Sequence, residues 1–187
     1  GINGINPNAQ LLAVRALGKC GGYTSDITDG VRWAAGLPVN GVPLNTNVAK
    51  VVNLSLGGGG ACASTWQNAI DEVTAAGTTV VVAAGNSNAD AAGYSPASCN
   101  GVITVASTGK AGSRAYYSNF GASVEITAPG GDRIADDGDT ILSTLNTGAT
   151  SPSSDTYAKY QGTSMAAPHI AGVASLMLAA NPTLTPI

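Results

Sequence analysis

Three stretches of this chain are apolar almost from end to end, and they limit what it can fold into. Val48 to Leu56, Thr78 to Ala84 and Val102 to Ala106 do not show the alternation of a half-solvated strand. Such runs read as strands buried on both faces. Between the first two lies a helical pattern. Thr65 serves as its cap, Trp66, Ala69, Ile70 and Val73 share one face, and Gly77 terminates it. A second helix is expected from Ser25 or Asp26 to about Ala35, with Ile27, Val31, Ala34 and Ala35 inward. Gln10 to Leu17 reads as a further strand and Glu125 to Ala128 as a short one. Strands and helices in alternation predict a mostly parallel sheet with helices on both faces, a three-layer α/β/α architecture. At 187 residues the chain is long enough for one domain with a sizeable core.

Charge narrows the function classes. Only 10% of residues are charged, and the net charge of −3 gives no basic footprint for nucleic acid. With 44% hydrophobic residues the composition is not that of a disordered chain, and no apolar run reaches the length of a membrane span. The three cysteines, Cys20, Cys62 and Cys99, form no CxxC pair, which argues against a zinc site. Low charge with scattered cysteines suits a secreted protein with disulfides. Cys62 and Cys99 each follow a strand or its loop and are expected to pair, which leaves Cys20 as a free thiol or the partner of a cysteine elsewhere.

In a parallel sheet, ligand sites lie beyond the carboxyl ends of the strands. Gly57 to Gly60 and Gly85-Asn86 fall there. A third candidate is the string Gln161-Gly162-Thr163-Ser164-Met165-Ala166-Ala167-Pro168-His169. It leads into an apolar run, Ile170 to Ala180, that reads as a buried helix with Ile170, Val173, Ala174, Met177 and Leu178 inward, ended by Asn181-Pro182. Ser164 is then at or just before a helix start, where orphan N–H groups favour developing negative charge. It is either a nucleophile or a simple N-cap. Asn86 could aim its amide at an oxyanion or only support a turn.

The string Gly-Thr-Ser-Met-Ala-Ala-Pro-His resembles the nucleophile motif of the subtilisin-like serine proteases (subtilases), and the likeness extends along most of the chain. It implies Ser164 as nucleophile. Ala83-Ala84-Gly85-Asn86 is similar to the family's segment with the oxyanion-hole asparagine, so Asn86 takes that role, with the Ser164 backbone N–H as second donor and Thr163 assisting. Asn53-Leu54-Ser55-Leu56-Gly57-Gly58 resembles the segment that forms an S1 wall and a substrate edge. Gly21-Gly22-Tyr23 resembles the opposite edge, with Tyr23 lining S4. The two edges would hold an extended peptide by strand addition. Asn88 to Ala97 is similar to a loop of proteinase K-like members, which implies a cis peptide before Pro96. Tyr117-Ser118-Asn119-Phe120-Gly121 and Ala128-Pro129-Gly130 match further landmarks.

The family's catalytic aspartate lies in an Asp-x-Gly context and its histidine in His-Gly-Thr-His, and neither string is present. The single histidine, His169, follows Ser164 by five residues, about 140° around a helix, and fits a structural role. The resemblance therefore implies a partial subtilase catalytic domain across residues 1–187, incomplete at both ends. It would be a fragment, a processed product or a truncated form of a secreted endopeptidase, inactive without a companion segment carrying the Asp and His. A sheet lacking neighbours would expose edges and apolar faces. The expected partners are a peptide or protein substrate and that companion, with no nucleic acid and no membrane. The chemistry needs no cofactor. A structural calcium could use Asp132, Asp136, Asp137 and Asp139, although a solvated acidic loop explains them equally. The proteinase K-type calcium site would use backbone carbonyls near Asn100 and Val102, but Gly112 stands where its aspartate belongs. Two other readings remain. One is a subtilase-like module that binds peptides without cutting. The other, an α/β-hydrolase esterase, requires Gly-x-Ser-x-Gly, and Ala166 stands where its last glycine belongs.

Overall fold

The computed structural model describes residues 2–134 and 138–186. Its elements, in order, are α1 (Thr24–Ala34), β1 (Val51–Leu54), β2 (Gly58–Gly59), α2 (Ser64–Ala75), β3 (Thr79–Ala83), β4 (Tyr94–Ser95), β5 (Val102–Thr108), β6 (Ile126–Pro129), β7 (Ile141–Asn146), β8 (Asp155–Tyr160) and α3 (Thr163–Ala180). Strands β1, β3, β5 and β6 form one parallel sheet in that order, with Val52 opposite Val80 and Val81 opposite Ile103. The apolar runs at β3 and β5 did encode doubly buried strands, whereas in β1 only Leu54 is buried and Asn53 is exposed. In β3, Val80 and Val82 join the core under α1 and α2, while Val81 and Ala83 join the core under α3. Each fully buried valine stabilises the fold by about 1.5–3 kcal/mol relative to an exposed one.

The helical patterns held on the first face. Ile27, Val31, Ala34 and Ala35 are all buried, as are Trp66, Ala69, Ile70 and Val73. Gly77 ends α2 with φ +90°. Its N–H bonds Thr74 O at 2.9 Å and the Thr78 N–H bonds Val73 O at 3.0 Å, the Schellman pattern. The expected side-chain caps did not form: Tyr23 and Ala63 occupy the N-cap positions of α1 and α2. Cys62 and Cys99 are disulfide-bonded, Cys20 is free and exposed, and the Ser95–Pro96 peptide is cis.

Three expectations need correction. Residues 10–17 form no strand, and Leu11 is 95% exposed. A strand exists only as part of a ladder, and among the described residues nothing pairs with this segment or with the outer edge of β1. The run from Val48 contributes a shorter strand than expected, Val51–Leu54, with Val48 exposed. Helix α3 begins seven residues before Ile170, and its later face is open: Val173 and Met177 are exposed rather than inward. Only its first turns, through the fully buried Ala166 and Ala167, meet the sheet closely. The antiparallel β7–β8 hairpin has no counterpart in the sequence reading.

Candidate active site

Ser164 is the second residue of α3 and is half-buried. It is not a capping serine, because the N-cap position belongs to Gly162, whose φ of +151° swings the chain into the helix. A helix start leaves its first N–H groups without intrahelical partners. Here Thr163 N donates to Asn86 Oδ1 at 2.9 Å, while Met165 N and Ala166 N donate to Gly162 O at 2.9 and 3.3 Å. The Ser164 N–H has no acceptor among the described residues.

Asn86 follows β3 and is exposed. Its Oδ1 accepts both the Thr163 N–H and the Thr163 hydroxyl, each at 2.9 Å, and the same hydroxyl accepts from Gly85 N at 3.1 Å. With its oxygen engaged, the side chain presents Nδ2, for which no acceptor exists among the described residues. A Cβ placed on Gly162 would lie 3.6 Å from Asn86 Nδ2, 3.7 Å from Ser164 N and 3.8 Å from Asn86 Oδ1, the last already engaged by Thr163. Two unclaimed donors therefore flank one point beside the Ser164 turn.

Ser55, just past β1, closes the group. Its hydroxyl donates to Ser164 O at 2.8 Å, and Ser164 Oγ lies 3.4 Å from Ser55 O. Two hydrogen-bonded sets, Ser55–Ser164 and Gly85–Asn86–Thr163, thus meet at the Thr163–Ser164 peptide at the carboxyl end of the sheet. Leu56 packs partly against the α1–α2 core, and Ala83 and Ala84 are buried where β3 ends. Gly58 lies in β2, whose one edge pairs antiparallel with β4, while Gly57 joins it to Leu56. Gly21, Gly22 and Tyr23 lead into α1, and Tyr23 is exposed. No hydrogen bond among the described residues joins them to the Ser164 group.

His169 Nδ1 lies 2.8 Å from Met165 O, one turn back along α3, so the ring is engaged with its own helix. The described residues contain no group of three His, Cys, Asp or Glu side chains placed to hold a metal. Asp132 and Asp139 are buried and bond backbone amides, Asp132 those of Tyr116 and Ile134 and Asp139 that of Lys110. Asp136 and Asp137 lie outside the described residues. Behind the site, the Tyr117 hydroxyl contacts Ser107 Oγ, Gly130 O and Gly131 O within 3.0 Å, and Gly162 N bonds Gly130 O. Burial pushes the Tyr117 phenol above its usual value. Sequence reading gave this inner layer no role, because its partners lie in four separate stretches. The signals were the Tyr117-Ser118-Asn119 and Ala128-Pro129-Gly130 strings.

A sequence profile of the Subtilase family, Peptidase S8, matches residues 1–187. The chain is 52% identical over 187 residues to an extracellular protease of Xanthomonas campestris pv. campestris, covering 100% of this chain and 31% of that protein. It is 48% identical over 190 residues to an extracellular basic protease of Dichelobacter nodosus, covering 100% of this chain and 30% of that one. Among solved structures, a protease of Pseudoalteromonas arctica superposes with a TM-score of 0.94 at 55% identity, over 98% of this chain and 54% of that chain. A cold-adapted subtilisin-like serine proteinase gives 0.76 at 35% identity, over 98% and 58%. The chain thus spans under a third of these two curated relatives and somewhat over half of these solved chains.

Proposed function

The chain belongs to the subtilase family of serine peptidases, and on that premise we propose that it is the nucleophile-bearing part of a secreted endopeptidase. Ser164 Oγ attacks the scissile carbonyl of a peptide bond. A base takes its proton and passes it to the leaving amine, and water then releases the acyl group. The oxyanion is held by Asn86 Nδ2 and the Ser164 N–H, at the positive end of α3. Thr163 supports this by fixing the Asn86 amide through its oxygen. The observation that carries the reading is the pair of unclaimed donors beside Gly162.

The substrate is a protein or peptide held as an extended strand along Leu56–Gly58 on one side and Gly21–Tyr23 on the other, with Ala83, Ala84 and Gly85 lining the cleft. The base and its aspartate come from a companion segment. His169 is held by its own helix and is the chain's single histidine. No cofactor enters the chemistry, and a calcium at the Asp132–Asp139 loop would be structural. The names of the extracellular relatives support secretion. The same histidine observation favours one second reading, a module that binds extended peptides without cutting them.

A fluorophosphonate probe decides between them in a preparation that includes the segment carrying Asp and His. Labelling seen by intact mass and abolished by Ser164→Ala is the expected result. Peptide binding without labelling would select the binding module, and labelling that persists in Ser164→Ala would overturn the nucleophile assignment.

A further inference from the structure

Asn119 sits beneath the loop that carries Asn86, with no exposed surface. Its Nδ2 donates to Ala84 O at 2.8 Å, and its Oδ1 accepts from Ser87 N at 2.9 Å and from Ala89 N at 3.2 Å. The Asn119 N–H donates to Gly85 O at 2.9 Å. One residue therefore grips the chain on both sides of Asn86. The fit is close enough that a Cβ on Gly85 would come within 2.4 Å of Asn119 Nδ2. The task needs a donor and an acceptor at one short reach. Aspartate lacks the donor, serine falls short and glutamine overshoots.

We infer that Asn119 is a positioning residue for acyl transfer: it fixes the angle at which Asn86 presents Nδ2 to the developing oxyanion. This rests on the oxyanion role proposed for Asn86. Asn119 itself touches no substrate. A donor stabilises the transition state only when held within about 2.7–3.1 Å of the nascent charge, and preorganisation by the surrounding protein supplies that. Without Asn119, two amides and one carbonyl of the loop lose their side-chain partner and must find others, and the loop moves. Peptide binding along Leu56–Gly58 does not depend on these bonds. Ala84 and Gly85, which these bonds hold, also line the proposed cleft, so the cost falls chiefly on kcat, with only a small change in KM.

The test is steady-state hydrolysis of a chromogenic peptide by the active protease, meaning this chain together with the segment supplying the base. Wild type is compared with Asn86→Ala, Asn119→Ala, the double variant and Asn119→Asp. Asn86→Ala should lower kcat by about 10²–10³, a figure that belongs to subtilisin, the family's own case. Asn119→Ala should lower kcat by about tenfold or more with KM within about twofold, and should cost nothing further once Asn86 is gone. Asn119→Asp keeps the acceptor for Ser87 and Ala89 and should fall between wild type and alanine. If Asn119→Ala fails to accumulate, the aspartate variant carries the same cycle. An equal kcat loss with and without Asn86, or a change in melting temperature or KM alone, would overturn the inference while the oxyanion role stands. An unchanged kcat in Asn86→Ala would overturn the oxyanion role, and the inference with it.

Discussion

On one face of the sheet, α1 and α2 seal Ile70, Val73, Val80 and Val82 from solvent; on the other, α3 covers Val81 and Val105 with its first turns and then presents Val173, Leu176 and Met177 to water. The apolar residues of the two faces are alike in kind. What differs is the partner. Helices α1 and α2 pack on each other as well as on the sheet, so each apolar stripe is met from two sides. The later turns of α3 are met mainly by a short contact from the N-terminal arm, where Asn6 Nδ2 bonds Ser175 Oγ at 2.9 Å. Ser164 belongs to the well-packed end of α3. Small residues at Ala166 and Ala167 let that end lie against the strands, so the nucleophile candidate stands on the packed end of the helix while the far end is open to solvent.

Matched truncations give the largest contrast. Ile70→Ala, in the sealed core, should cost about 2–5 kcal/mol in urea unfolding, from lost transfer energy plus the cavity left behind. Met177→Ala, on the open face, should cost less than about 0.5 kcal/mol. Comparable costs would mean that the outer face of α3 is covered in solution. A medium effect is expected in the site loop. Gly85 has φ +105°, and a Cβ there meets the Asn119 amide, so Gly85→Ala should destabilise by about 1–3 kcal/mol. A cost below about 0.5 kcal/mol would show that the loop yields, and that the site is softer than the core beside it.

The smallest effect lies on the rim of the sealed face. Arg32 Nε and Nη2 donate to the two oxygens of Glu72 at 2.6 and 3.3 Å, linking α1 to α2. The hydrogen bond from Arg32 holds the Glu72 carboxyl below its ordinary value and raises the guanidinium in turn. Because the folded state lowers the Glu72 pKa, the stabilisation is present above the ordinary glutamate value of 4.5 and fades as pH falls through the lowered one. Glu72 is exposed and Arg32 half-buried at the rim, so solvent still reaches the pair, which is worth about 0.2–1 kcal/mol and is screened by salt. Glu72→Gln should therefore lower the melting temperature slightly at pH 7 and not at pH 2. A penalty that persists at pH 2 would assign the contact to packing.

The amino-acid order by itself determined which faces turn inward on α1 and α2, the stop at Gly77, the doubly buried β3 and β5 and the position of Ser164 at a helix start. Each of these is a property of neighbours within one or two turns of chain, where periodicity and φ preference act. Tertiary structure decided the rest. Residues 10–17 have strand composition but no ladder to join. The α3 stripe has helical period but little to cover its later turns. The β7–β8 hairpin exists because Ile141 meets Tyr160 and Asn146 meets Asp155 across a polar connection, residues 147–154, longer than the two- to five-residue loops that mark a hairpin in sequence. The site itself depends on long-range bonds: Ser55 to Ser164 across 109 residues, Asn86 to Thr163 across 77, and Asn119 to Ala84 across 35. Local propensity cannot encode such distances. They are set when two faces of a sheet close on their helices and leave particular donors without a partner.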